Sequence, residues 1–165
     1  MKRLTGFAVS VVITILLTAV IHQGLAWADC RLVNGHVELQ AVPAPPCTSP
    51  AGLCFHIRVT GRLQGEGDVT VTSLTPSPDL TIPSAFLFTS RTVLRTQHGD
   101  FLFDSGAGAG NFDAAGNINL VNLLTITGGT GRLAGASGHI FELGSIDTAT
   151  GIGASDLKEG ELCTP

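Results

Sequence analysis

The sequence predicts an all-β protein built from seven or eight short antiparallel strands in a sandwich or a barrel. Short segments with alternating apolar and polar residues recur at regular spacing, with turn-forming residues between them. Beyond the N-terminal segment, no stretch combines a sustained helical apolar period with capping residues. Prolines cluster between the strand candidates, where they cost no ladder hydrogen bonds.

The N-terminal 28 residues have the three parts of a signal peptide. Lys2 and Arg3 form a short basic start, Phe7–Ile21 is almost continuously apolar, and Ala26-Trp27-Ala28 offers small residues at the cleavage positions. The apolar run is too short for a permanent membrane span. We therefore predict a signal peptide over residues 1–28, cleaved near Ala28, and a single exported β-domain over residues 29–165, periplasmic or extracellular.

The charge of the chain argues against nucleic-acid binding. Cleavage removes two basic residues and lowers the formal net charge from −4 to −6, and it leaves Lys158 as the only lysine. Binding to phosphate backbones requires clustered Lys and Arg. The following arginines are expected at outward strand positions: Arg58, Arg62, Arg91 and Arg95.

Four cysteines follow the signal segment, and export makes disulfides plausible. Of the three pairings, we favour Cys47–Cys54, which flanks a short loop, together with Cys30–Cys163, which would join the first strand to the last. No CxxC or HxxxH spacing supports a metal site, and we expect neither a metal nor a cofactor.

The first half of the chain contains three strand candidates. Leu32–Gln40 contains a strand, and Ala41–Gly52 is a proline-rich loop held by Cys47. Phe55 to Leu63 alternates strictly between apolar and polar residues, which predicts one face in a core and one in water. Gly65–Gly67 is predicted as a turn, and Asp68–Leu74, rich in β-branched residues, as the next strand.

The middle of the chain begins with a proline-rich connection over Thr75–Pro83. A long strand follows over Ala85–Thr96, ended by the turn Gln97–Asp100. Phe101–Phe103 is a further strand candidate, and a glycine-rich segment, Gly106–Gly110, comes after it.

The last third of the chain contains three strand candidates. Asn117–Thr127 follows the turn Ala115–Asn117 and is apolar on both faces. His139–Ile146 is a strand, Asp147–Gly153 a turn, and Ser155–Cys163 a short final strand.

The stretch Thr125–Gly138, TITGGTGRLAGASG, is the most distinctive of the sequence. Its Gly129-x-Gly131-x-x-Ala134 spacing matches the loose dinucleotide fingerprint, which requires a long helix behind the glycines. Gly135 and Gly138 interrupt any such helix within one turn, so nucleotide binding is rejected. We predict instead a tight turn at Gly128-Gly129 that needs positive φ, followed by a small-residue corner.

The segment from Ile126 to Gly138 resembles the ITGGTGRFAGASG signature of bacterial proteins with an allene oxide cyclase-like barrel. The same turn, as a GGTGKF-type motif, occurs in plant dirigent proteins. A looser resemblance extends over residues 61–73 and 99–116. The residues of the signature turn are Gly128, Gly129, Thr130, Gly131, Arg132, Gly135 and Gly138.

This resemblance implies an eight-stranded antiparallel barrel of the calycin type, often assembled as a trimer. The apolar outer face of Asn117–Thr127 fits a barrel wall covered by another subunit. In the plant relatives the barrel lumen binds a hydrophobic substrate and steers a cyclisation or a coupling. Those activities do not carry over residue by residue, because tyrosine figures in those lumens and this chain contains none.

The acid–base candidates are Glu66, Asp68, His98, Asp100, Asp104 and Glu142. Glu142 stands out because it shares a strand face with Ile140 and Ile146. If that face points into the barrel, burial would favour the neutral acid, which could act as a proton donor or base. The alternative is a position on the rim, or an outward one paired with arginine.

Two classes of function remain open. The first is a secreted, non-enzymatic barrel that binds a small apolar ligand or acts as a structural module in a homo-oligomer, trimeric or dimeric. The second is an isomerase or cyclase of the allene oxide cyclase type, or a dirigent-like coupling guide. An open lumen with a buried carboxylate such as Glu142 would favour the enzyme, whereas a lumen filled by Phe and Leu would leave a structural role.

Overall fold

The computed structural model describes residues 29–79 and 81–165. The predicted signal peptide, residues 1–28, lies outside the described residues, as does its cleavage site near Ala28. Among the residues that the structure describes, no helix is long and apolar enough to cross a membrane.

Eight antiparallel strands close into a barrel, which confirms the predicted fold class. Each strand pairs with its neighbours in sequence, and β8 pairs with β1 to complete the wall. A single turn of 3₁₀-helix, Gly131–Leu133, lies between β6 and β7. The strands are β1 (Asp29–Val42), β2 (Cys54–Gly61), β3 (Gly65–Pro76), β4 (Ala85–Thr96), β5 (Phe101–Phe112), β6 (Ile118–Gly129), β7 (Ser137–Asp147) and β8 (Ile152–Thr164).

The core lies inside the barrel and is built from every second residue of each strand. On β2, Phe55, Ile57 and Val59 are buried, while His56 and Arg58 are exposed. The alternation predicted for this strand is therefore present. Each fully buried aliphatic or aromatic side chain stabilises the fold by about 1.5–3 kcal/mol.

Both disulfides form in the favoured pairing. Cys30 on β1 is bonded to Cys163, its register partner on β8. Cys47 in the first loop is bonded to Cys54 at the start of β2. The first disulfide therefore lies where the first and last strands meet and the barrel closes.

The turn predicted at Gly65–Gly67 is wrong, because β3 begins at Gly65. The chain turns earlier, between the end of β2 at Gly61 and the start of β3. A Cβ added at Gly67 would lie 2.8 Å from the Cα of Leu94, and one at Gly65 would lie 3.2 Å from the Leu94 Cδ1. These glycines are thus strand residues that let β3 pack closely against β4.

The glycine-rich segment after Phe103 is likewise part of a strand, since β5 is continuous from Phe101 to Phe112. A Cβ at Gly110 would lie 2.5 Å from the Phe86 Cζ, and one at Gly108 would lie 2.6 Å from the Phe88 Cζ. The β5 glycines therefore make room inside the barrel for two phenylalanine rings of β4.

The turn of the signature stretch lies later than predicted. Strand β6 continues through Gly129, and Gly128, with φ of 145°, pairs with Phe103 beside a bulge. The chain reverses over the 3₁₀-helix, where Gly131 has φ of 56° and Gly135 has φ of 76°. Positive φ at Gly128 was predicted correctly, but it serves a bulge in the strand and not a tight turn.

Candidate functional site

Six polar side chains occupy inward positions near the middle of the barrel. They come from five consecutive strands, β4 to β8, and we call them the lumenal polar cluster. Its members are Ser90 and Thr92 on β4, Asp104 on β5, Asn122 on β6, Glu142 on β7 and Ser155 on β8.

The structure places Glu142 inside the barrel, with 8 % of the residue exposed. The Ser155 hydroxyl donates a hydrogen bond of 2.5 Å to Glu142 Oε1. The Asn122 amide donates one of 3.1 Å to Glu142 Oε2 from the position directly across on β6. Each oxygen of this carboxyl group therefore accepts one hydrogen bond from a buried donor.

Asp104 is the second carboxyl group of the cluster. Burial raises the pKa of Asp104 from its usual value near 3.8 to about 6; the Thr92 hydroxyl opposes this rise, and the charge of Glu142 adds to it. Thr92 lies directly across from Asp104 on β4. The sequence indicated Asp104 only as one of six acid–base candidates, with nothing to set it apart.

The other four members of the cluster were missed. Their inward positions could have been read from the alternation, since Asn122 lies in phase with Leu120 and Leu124 on β6 and Ser90 with Phe88 on β4. The signal was weak because serine, threonine and asparagine occur throughout this chain.

The remaining free space beside the cluster is a cavity of about 50 Å³. Apolar side chains such as Leu94, Leu102 and Ile140 fill the lumen around it. Pockets for small organic molecules usually measure about 300–1,000 Å³. The interior therefore has space for an ion or for one or two water molecules, each of which occupies about 30 Å³.

One end of the barrel opens into a larger cleft of about 880 Å³, which we call the mouth cleft. It is formed by the start of β1, the end of β8 and the turns after β2, β4 and β6. Its apolar lining is Leu32, Val33, Leu63, Leu133 and Leu162, and its basic lining is Arg31, Arg62, His98 and Arg132. Leu32 is 69 % exposed, so an apolar surface faces the cleft.

The charges around the mouth cleft are only partly neutralised. Arg31 forms an ion pair with Asp29 at 2.7 Å, and Arg132 forms one with Asp100 at 2.9 Å. Arg62 forms no ion pair with any residue that the structure describes; its Nη1 donates a long hydrogen bond of 3.4 Å to the Leu32 carbonyl. The cleft thus has one uncompensated arginine.

The signature turn forms part of this cleft. The Thr130 hydroxyl accepts a hydrogen bond of 2.9 Å from the Phe101 amide, and the Thr130 amide donates one to the Phe101 carbonyl. Gly131 lies against the Asp100 carboxylate so closely that a Cβ would collide with it. These contacts fix the turn, and the turn places Arg132 and Leu133 in the cleft wall.

The remaining acid–base candidates lie on the outer wall or in turns. Glu66 pairs with Arg58 at 3.6 Å, and Asp68 pairs with His56 at 3.1 Å, both on the outside of β2 and β3. His98 is exposed in the turn after β4 and lines the mouth cleft. The structure therefore brings together Asp104 and Glu142 and leaves the other candidates apart from them.

Within residues 29–79 and 81–165, a close group of three or more Cys, His or carboxylate side chains occurs once, at Cys30, Glu161 and Cys163. Both cysteines of this group are bonded to each other. Their sulfurs are therefore not thiolates and cannot act as strong metal ligands.

The outer wall has an apolar face over β4 to β7, which we call the outer apolar face. Val121 lies across from Leu143, and Leu123 lies across from Phe141, in the register of β6 and β7. The outward positions of β5 and β6 carry no charged residue. The exposed large side chains of this face are Leu87, Val121, Leu123, Phe141 and Leu143.

No family model matches the chain, and neither a curated protein nor a solved structure matches it.

Proposed function

We propose that the chain is an exported, non-enzymatic β-barrel that binds a small, largely apolar molecule carrying an acidic group. The mouth cleft supports this proposal, because its volume of about 880 Å³ lies in the range of small-molecule sites. Its leucines suit an apolar body, and Arg62, which has no ion-pair partner in the described part of the chain, can bind an anionic head with its guanidinium. The resemblance of Ile126–Gly138 to allene oxide cyclase-like and dirigent-like barrels supports the same kind of ligand.

Two disulfides, with no free cysteine among the described residues, indicate an oxidising environment. The signal-peptide pattern of residues 1–28 supports the further proposal that the chain is exported to the periplasm or beyond the cell.

The enzyme hypothesis rests on Glu142, a buried carboxyl group inside the barrel. An isomerase, a cyclase or a coupling guide would have to bring a hydrophobic substrate to this carboxyl group. A cavity of about 50 Å³ offers no room for one. We therefore place ligand binding at the mouth cleft. The isomerase, the cyclase and the coupling guide remain the alternative, and each would require an open lumen.

The outer apolar face supports a second candidate function, a structural role as a subunit of a homo-oligomer. A closed barrel has no free strand edge, so association must use a face of the wall. Contiguous apolar surface without charges is typical of subunit interfaces. We propose that another copy of the chain covers this face, in a trimer or a dimer.

Titration with a fluorescent probe tests the ligand proposal. A dansylated long-chain fatty acid supplies an apolar body and a carboxylate, and its methyl ester lacks the charge. We expect saturable binding of the acid, and roughly tenfold weaker binding of the ester or of Arg62→Gln, since loss of one charge-assisted hydrogen bond costs about 1.4 kcal/mol. Leu32→Asp should abolish binding, and Arg91→Gln, on the outer wall away from the cleft, should leave it unchanged.

Absence of saturable binding, or equal binding by Leu32→Asp, would contradict the mouth site. Native mass spectrometry of protein purified from its own source would identify a co-purifying molecule.

Light scattering during gel filtration tests the oligomer independently: Leu123→Asp should give the monomer, whereas Thr60→Asp, an exposed position on the β2 wall, should not change the mass. A monomeric native protein would remove the structural proposal and leave the ligand proposal standing.

A further inference from the structure

The lumenal polar cluster has more hydrogen-bond acceptors than donors. Asp104 and Glu142 supply four carboxyl oxygens, and Asn122 supplies an amide oxygen. Both donors that reach Glu142, from Ser155 and Asn122, are already used there. The lumenal polar cluster therefore has an excess of acceptor oxygens, and no basic side chain lines the cavity.

Three oxygens of the cluster have no hydrogen-bond partner among the described residues: Ser90 Oγ, Asp104 Oδ1 and Asn122 Oδ1. Ser90 is 3 % exposed and Asn122 is 4 % exposed, and both line the 50 Å³ cavity. A buried polar group left unpaired costs about 1–3 kcal/mol. Two almost fully buried residues thus direct unsatisfied oxygens at the same small space.

Gly106 lets two of these oxygens approach the backbone of β5 closely. A Cβ at this position would lie 2.8 Å from Asn122 Oδ1 and would collide with Ser90 Oγ. The two oxygens therefore approach the bare backbone of β5 on either side of the space that a Cβ would fill. Asp104 lies two residues before Gly106 on the same inward face.

The chemistry of these atoms selects the occupant. A water molecule can donate only two hydrogen bonds, and it leaves the two carboxyl groups uncompensated. Two ionised carboxylates match a divalent cation, and ligands that are all oxygen favour Mg²⁺ or Ca²⁺. Mg²⁺ usually retains several waters, for which a cavity of about 50 Å³ has no room, whereas Ca²⁺ accepts cages of protein oxygens.

We propose that the lumenal polar cluster binds one Ca²⁺ ion through Asp104, Glu142, Asn122 Oδ1 and Ser90 Oγ. Ser155 is a positioning residue, because its hydrogen bond holds the Glu142 carboxylate. The ion would join strands β4 to β7 from inside the barrel. None of the proposed ligand residues lines the mouth cleft, so the two proposals stand or fall independently.

Equilibrium dialysis with ⁴⁵Ca²⁺ tests the site on the disulfide-bonded protein after treatment with a chelator. We expect about one Ca²⁺ per chain with a dissociation constant of roughly 10⁻⁴–10⁻³ M or tighter, the range of extracellular calcium modules. Asp104→Asn keeps the side-chain volume and removes the charge, so it should weaken binding at least tenfold. Asp68→Asn makes the same change of charge on the outer wall and should not alter binding.

Thermal unfolding followed by far-UV circular dichroism gives a second readout. Calcium at about 5 mM should raise the melting temperature of the wild type by several degrees, and equal concentrations of magnesium should not. Asp104→Asn should fold, as judged by the same spectrum, and show no calcium shift. If calcium fails to bind, water occupies the cavity and the proposal is overturned. An equal shift of the melting temperature by magnesium, or an undiminished calcium shift in Asp104→Asn, would overturn it as well.

Discussion

Asn122 on β6 donates a hydrogen bond of 3.1 Å to Glu142, which lies directly across from it on β7 inside the barrel. The Ser155 hydroxyl completes the arrangement from β8, on the other side of β7. Three consecutive strands are thus joined by polar contacts in a mostly apolar interior. The cost of this arrangement appears when one member is removed, because the remaining buried groups lose their partner.

We expect Glu142→Ala to lower the free energy of unfolding by about 2–4 kcal/mol, because it leaves the Ser155 hydroxyl and the Asn122 amide unpaired and creates a cavity. Urea unfolding followed by circular dichroism measures the change. Glu38→Ala is the matched control, because Glu38 is exposed on the outer wall of β1, and it should change stability by less than about 0.5 kcal/mol. Equal effects of the two substitutions would show that the buried hydrogen bonds contribute nothing.

The pKa of Asp104 predicts a specific pH dependence of stability. Its pKa is about 6 in the folded protein and near 3.8 in the unfolded chain, so the folded state binds the proton more tightly. The stability from this group is fully present below about pH 4 and is lost as the pH rises through about 6. The side chains that face Asp104 in the lumen are Thr92, Asn122 and Glu142, of which Glu142 is the other carboxyl group.

Asp104→Asn removes this titration. In calcium-free buffer, the variant should be more stable than the wild type by about 3 kcal/mol near pH 7, and the difference should vanish near pH 3. Unfolding in urea across this pH range measures the difference between the two proteins, in which the titration of groups that do not interact with Asp104 cancels. Asp113→Asn, a fully exposed turn position, serves as the control and should not reproduce the rise of the difference between pH 4 and 6. A difference that stays constant with pH would contradict the raised pKa.

The architecture was predictable because apolar residues, which face the core, alternate along the strands with polar residues, which face solvent, as in Phe55–Val59. The Pro-rich and Cys-flanked loop before β2 was equally readable. Glycine caused the errors, since Gly65–Gly67 and Gly106–Gly110 carry the local signature of turns. They lie in strands because atoms of β4 occupy the space that a Cβ would need: backbone atoms at Gly65 and Gly67, and the rings of Phe88 and Phe86 at Gly108 and Gly110. Such packing across strands is not visible in a local pattern.

The candidate site was predictable only in part. Glu142 was identified because a carboxyl group between Ile140 and Ile146 conflicts with an apolar face. Asp104 lies after Leu102 on a strand that then continues as glycines, so no run of apolar residues marked its inward direction. The mouth cleft combines residues from five separated parts of the chain, and only closure of the barrel brings Arg62 near Leu133.

The disulfide between Cys30 and Cys163 spans 133 residues, and the one between Cys47 and Cys54 spans only 7. In the chain-entropy account, a crosslink stabilises by restricting the unfolded chain, more so for longer loops. We expect replacement of Cys30 and Cys163 by serine to cost about 4–5 kcal/mol and replacement of Cys47 and Cys54 to cost about 2 kcal/mol.

Guanidinium unfolding of the two double variants measures this order. Both variants retain one disulfide, so each acts as the control for the other. If the Cys47/Cys54 variant were the less stable, local packing of the proline-rich loop would outweigh the loop-entropy term, and the proposed role of the terminal disulfide would be wrong.

The signature turn offers the last prediction, through the contact of Gly131 with Asp100. Gly131→Ala introduces a Cβ at φ of 56° and drives it into the Asp100 carboxylate, which also pairs with Arg132. Gly99→Ala is the matched control, because Gly99 has φ of 85° but no heavy atom within 4 Å of the added Cβ. The control therefore measures the cost of positive φ alone, about 1 kcal/mol. Gly131→Ala should cost at least about 2 kcal/mol more, since the turn must move to relieve the collision.

Because the displaced turn contributes Arg132 and Leu133 to the mouth cleft, Gly131→Ala should also weaken binding of the dansylated fatty acid, and Gly99→Ala should not. Urea unfolding and probe titration on the same two variants separate the effects on stability and on binding. Equal stability of the two variants would mean that Gly131 is required for its backbone angle alone. Lost stability with unchanged binding would place the ligand away from the signature turn, and the mouth-cleft proposal would fail.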